Sequence, residues 1–131
     1  MNIEQHFLEN TIGVFKNYKT LAEKSFVQLN SDKDFHYTPD SGSNSIAVII
    51  KHMSGNMISR WTDFLTTDGE KPNRKRDTEF IEGNETRGEL TKVWNKGWEI
   101  FFSTLHSLTP ADLMKPITIR GEGLTVLQEN I

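Results

Sequence analysis

A chain of 131 residues with 35% hydrophobic and 25% charged residues has the size and balance of a single globular domain, 1–131, and its composition is neither disordered nor membranous. The net charge of −3 gives no electrostatic reason to expect a nucleic-acid partner, and the absence of cysteine excludes a disulfide framework and a thiolate nucleophile. Any metal site must therefore use nitrogen and oxygen ligands.

The opening MNIEQHFLEN lacks the basic segment and apolar run of a secretion signal, and the longest aliphatic run, Ile46 to Ile50, is too short to span a bilayer. The expectation is a cytoplasmic protein with no membrane partner. From Ile3 to Leu29, two apolar lines run at helical spacing: Leu8, Ile12, Phe15, Ala22, Phe26 and Leu29, and beside them Phe7, Val14, Tyr18 and Leu21. So wide an apolar face predicts a helix that touches two neighbours in a bundle. The turn formers NSDKD end it, and FHYTPDSGS, with Pro39 and Gly42, reads as a loop.

The second predicted helix occupies Asn44 to Asp68, with Ser43 or Asn44 as N-cap. Ile46, Ile49, Ile50, Met53, Met57, Trp61, Phe64 and Leu65 form its core stripe. Alongside runs a more polar line of Ser45, His52, Asn56, Ser59 and Asp63, which stacks His52 and Asn56 one turn apart at the margin of the buried face. Periodicity fails from Thr66 to Glu85, a charged connection expected to pack on the bundle. Its NRKR tract is outnumbered by acidic residues, which favours an ion-paired loop over a nucleic-acid contact.

Thr86 and Glu89 have the spacing of a capping box. They open a third, aromatic-rich helix through Leu90, Trp94, Gly97, Phe101, Leu105 and Leu108, closed by Thr109-Pro110. QLNSDKDF after the first helix and HSLTPADL after the third share a leucine, a hydroxyl residue and an aspartate followed by a large apolar residue. The echo suggests two duplicated helical hairpins, with a further helix after the second copy. Beyond the irregular or extended MKPITIRGEG, Leu124, Leu127 and Ile131 are spaced for the first turns of that helix.

The stretch NSIAVIIKHMSGNMISRWTDFLTTDGEKPNRKRDTEF resembles the hallmark region of a branch of the DinB/YfiT-like superfamily of small bacterial metalloenzymes, and the similarity covers nearly the whole chain. The resemblance implies an all-α, up-down four-helix bundle, usually dimeric, in which three histidines hold a divalent metal, often nickel or zinc. Some relatives are thiol-dependent transferases or isomerases. His52 falls where the family's first ligand sits. The other two ligands, a His-x-x-x-His pair on the fourth helix, have no match here; LTVLQENI resembles only that helix's opening, so the fourth helix is expected to be truncated and the metal site incomplete.

On spacing alone His52 also suits a structural role, bonded to Asn56, a serine hydroxyl or a carbonyl. His6, His36 and His106 read as surface or packing residues, since no two histidines are spaced i, i+4. Asn56, Arg60 and Asp63 are the candidate substrate-binding residues for a small molecule. Arg60 and Asp63, with Arg76 and Asp77, equally suit ion pairs that pin the connection. Trp61, Trp94 and Trp98 are core anchors first. A missing fourth helix would leave about five large apolar side chains uncovered, worth roughly 10 kcal/mol, so a homodimer is expected. Two functions follow: a DinB-like metal-dependent enzyme of transferase or hydrolase type, or a non-catalytic dimeric scaffold or small-molecule binder.

Overall fold

The structure is a computed structural model that describes residues 2–130. It is mostly helical, with helix α1 (Ile3–Val27), α2 (Ile46–Trp61), the short α3 (Arg76–Glu79), α4 (Arg87–Ser107), a two-stranded ribbon β1 (Pro116–Ile119) and β2 (Glu122–Thr125), and the single turn α5 (Val126–Glu129).

The helix starts follow local chemistry. Asn2 accepts from the Gln5 amide at 2.8 Å to open α1. Ser45, rather than Ser43 or Asn44, caps α2 by accepting from Val48 N at 3.1 Å. The Thr86–Glu89 capping box opens α4 as its spacing predicts.

The end of α2 departs from expectation. The helix stops at Trp61 instead of reaching Asp68: Thr62 is extended, and Asp63 takes a positive φ of 48°. Phe64 nevertheless stacks on Trp61, with centroids 4.4 Å apart, so the apolar spacing continues beyond the helix that it was read to belong to.

The core lies where α2 crosses α4. A Cβ added at Gly97 would meet Ser54 Cα at 2.9 Å, so only a glycine lets the two backbones approach this closely. Around the crossing, Trp61, Trp98 and Phe101 interlock edge to face, and Phe15 and Phe26 of α1 reach the same aromatic row. The first apolar line of α1 packs on the core, but Val14, Tyr18 and Leu21 of the second line stand exposed. Besides α4, α1 meets the turn Pro110–Asp112 and, through Phe26, the ring of Phe35.

Both echo segments fold alike. In each a 3-10 turn follows, with an aspartate accepting from the amide three residues back: Asp34 from Ser31 N at 3.1 Å, and Asp112 from Thr109 N at 2.8 Å. The next residue, Phe35 or Leu113, is buried.

The ribbon corrects the all-α expectation. Arg120 and Gly121 both take positive φ, 54° and 80°, which gives the tight turn that antiparallel strands of right-handed twist require. Ile117 faces the core, and Leu124 lies in β2 rather than in a helix. The ribbon is tied to the segment after α2 by Asp68, which accepts from Arg120 N and Gly121 N, both at 2.8 Å, and by Gly69 N donating to Thr118 O at 2.8 Å. Thr125 then caps α5. Ile131 lies outside the described residues, and a four-helix bundle is not established by these elements.

Candidate functional site

His52 sits on the outer margin of α2, about a third exposed. Its Nδ1 lies 3.1 Å from Glu79 Oε1. A carboxylate can only accept, so Nδ1 carries the hydrogen; in the neutral imidazole Nε2 then holds the lone pair, and it has no hydrogen-bond partner among the described residues. Glu79 is itself fixed by Arg74, which donates Nε–H to Oε2 at 3.0 Å and Nη2–H to Oε1 at 2.9 Å in a forked pair. The imidazole also packs on Phe80, with centroids 4.8 Å apart.

Gly55 makes this arrangement possible. A Cβ there would lie 1.8 Å from Glu79 Oε2, so the carboxylate reaches His52 across a gap in the helix surface that only glycine leaves.

Two cavities flank α2. The first, of about 270 Å³, lies between α1, α2, α4 and α5, and its wall includes Phe15, His52, Asn56, Met57, Trp98 and Glu129. It is largely apolar with few polar groups, the usual make-up of a small-molecule site. One of those groups, the buried Trp98 Nε1–H, has no partner among the described residues. The second cavity, of about 650 Å³, opens on the other flank, between α2, the 66–79 segment and α4.

The residues singled out from the sequence are thus divided. His52 and Asn56 share the smaller cavity. Arg60 pairs with Glu129 at 3.3 Å, a carboxylate of that same wall. Asp63 belongs to the larger cavity, because α2 ends before it. His52 bonds neither Asn56 nor a serine. Among the described residues no group of three or more His, Asp or Glu side chains could hold a metal ion.

The charged connection is pinned as expected, with Arg74 of the NRKR tract paired to Glu79 and Glu70 and with Ser59 Oγ donating to Gly69 O at 2.7 Å. Arg76 instead lies over the Phe80 ring, at 5.3 Å. The role of Glu79 and Arg74 at His52 escaped the sequence reading, because α3 returns them from a stretch without periodicity. The available signal was Gly55, an isolated glycine inside a helical pattern, which marks a close approach.

Two other charged groups hold the frame. His36 donates Nδ1–H to Glu82 and Nε2–H to Glu85 O, the latter at 2.8 Å. Partial burial pulls its pKa down, but the Glu85 carbonyl and the Glu82 carboxylate outweigh this and raise it above 6.5. Asp68 is held down to about 2 by the amide of Glu70 first, then by those of Gly121 and Arg120.

No helix among the described residues is long and apolar enough to cross a membrane. Compared with known proteins, residues 2–130 match the model of one family, described as "Protein of unknown function (DUF1572)". No curated protein and no solved structure matches the chain.

Proposed function

The chain belongs to that family of unknown function, and from this premise we propose that it is a DinB-like metal-dependent enzyme of the transferase or hydrolase type, in which His52 is one ligand of a divalent nickel or zinc ion. The observation that carries the proposal is the Glu79–His52 pair: a carboxylate holds Nδ1–H, itself fixed by a buried arginine, and leaves Nε2 unpaired on a residue of a cavity wall. Metal-bound histidines commonly donate their other ring N–H to a carboxylate in this way, which fixes the tautomer and raises the basicity of the ligating nitrogen.

The fit is partial. Such an ion takes three protein ligands, and among the described residues no group of three His, Asp or Glu side chains stands together to hold one, which leaves His52 as the single candidate. Bound there, the ion would supply Lewis-acid activation of the substrate or of water. The chain's own residues do the rest. Glu79 and Arg74 aim the imidazole, and Asn56 and Trp98 Nε1 offer hydrogen bonds to a small substrate. Phe15, Met57 and Trp98 keep bulk water away. Arg60, beside Glu129, is the proposed substrate contact at the margin, whereas Asp63 stands on the wall of the other cavity. The chain acts as a homodimer in this account, with the exposed Val14–Tyr18–Leu21 line as the face a second copy covers.

Metal analysis of protein equilibrated with nickel or zinc tests the proposal. One equivalent that is lost in His52→Ala is expected; wild type that retains none, or metal unaffected by the substitution, overturns it. The unpaired Trp98 Nε1 in an apolar cavity also favours a second function, a non-catalytic small-molecule binder. Metal-free wild type that binds a small molecule through Asn56 would favour that alternative.

A further inference from the structure

We propose that the larger cavity, between α2 and the 66–79 segment, is a separate binding site for a small organic anion, a carboxylate or phosphate on a compact apolar or hydroxylated body. Its volume of about 650 Å³ falls in the range of small-molecule sites.

The charges on its wall are not equally free. Arg74 is committed to Glu79 and Glu70, and Lys51 to Ile81 O and Glu85. Lys71 is different: its ammonium donates to Ser59 O and Asp68 O, each at 2.6 Å, both neutral carbonyls. One of its three N–H donors remains. No salt bridge joins it to a carboxylate among the described residues; Asp63 and Asp68 act on it only at longer range, and burial lowers its pKa despite them. A partly buried cation that lacks a carboxylate partner and borders an open cavity is a seat for an anion.

Two further wall residues point the same way. Ser54 and Thr62 carry buried hydroxyl oxygens with no hydrogen-bond partner among the described residues. Buried hydroxyls are normally paired, so such groups beside a cavity are what a polar ligand would satisfy. Ile58 of α2 and Val93 of α4, both exposed apolar side chains, offer contact to the ligand's body. The cavity shares Glu79 and Arg74 with the frame that holds His52, but His52 itself stands on the wall of the other cavity.

The test is a protein-observed NMR titration of the whole chain with benzoate and phenyl phosphate as probes. Saturable binding of at least one is expected, with shifts at Thr62 and Val93. Lys71→Met should weaken it roughly tenfold or more, as loss of a charge-assisted contact does. Because Lys71 also ties two carbonyls, Val93→Trp serves as a second variant that obstructs the cavity from α4 without touching those bonds, and it should block binding. His52→Ala, which leaves the Arg74–Glu79 pair in place, should retain binding. No saturable binding of either probe, binding untouched in both Lys71→Met and Val93→Trp, or binding abolished in His52→Ala would each overturn the proposal.

Discussion

Replacing Gly55 by alanine should destabilise the protein, although the same change at an exposed helix position normally stabilises. The new Cβ would lie 1.8 Å from Glu79 Oε2 and 2.5 Å from its Cδ, so the carboxylate must retreat by roughly 1.5 Å to reach ordinary van der Waals separation. That displacement breaks the contacts at 3.1 Å to His52 and at 2.9 and 3.0 Å to Arg74. The side chains of Arg74 and Glu79 are only 5% and 11% exposed, so water restores little, and Glu70, at 3.7 Å, compensates Arg74 only in part. Losing charge-assisted bonds at such a site costs about 2–3 kcal/mol, against about 1 kcal/mol gained from alanine's helix propensity. The net loss is about 1–2 kcal/mol, or a Tm lower by about 3–8 °C. Thermal and urea denaturation measure it. The decisive control is the Glu79→Ala background, where Gly55→Ala should turn stabilising by about 1 kcal/mol. Stabilisation by Gly55→Ala in the wild-type background would refute the claim that Glu79 crosses α2 at that glycine.

Three further outcomes follow from the structure. Gly97→Ala should cost about 1–3 kcal/mol in urea stability, because the added methyl meets Ser54 Cα at 2.9 Å at the α2–α4 crossing. The folded-state pKa of His36 is raised, so its contribution is complete below about 6.5 and fades as pH rises through the folded value. Relative to His36→Gln, wild-type stability should therefore decline from pH 6 to pH 8, which urea titrations at the two pH values would show. Asp68 is depressed from 3.8 to about 2, so its anchoring of the ribbon is present above pH 4 and lost as pH falls through about 2. The amide resonances of Arg120 and Gly121 should titrate in that acid window and cease to do so in Asp68→Asn.

Much of the frame was legible because short-range chemistry wrote it. The stripe from Ile46 to Trp61 gave α2, the Thr86–Glu89 pair gave the start of α4, and the two aspartates of the echo segments gave matching turns. The misreadings arose where tertiary packing imitates a local pattern. Phe64 keeps helical spacing only because it stacks on Trp61 from outside the helix. Val14, Tyr18 and Leu21 look like a core line, yet they stand exposed. The ribbon's strands are four residues each and turn at Arg120-Gly121, which lacks the asparagine or aspartate that usually announces such a turn. At the site, His52 was legible from its place on the margin of α2. Its partner was not, because Glu79 is brought to it across 27 residues of chain by a segment with no periodicity.

The central claim is that His52 is held by Glu79 with Nε2 left as a free lone pair. Long-range ¹H–¹⁵N NMR of the histidine rings reads this directly at a pH where the imidazole is neutral. Hydrogen on Nδ1 and an unprotonated Nε2 are expected, with that preference lost in Glu79→Ala. Hydrogen on Nε2 in the wild type, or a tautomer indifferent to Glu79, would contradict the account.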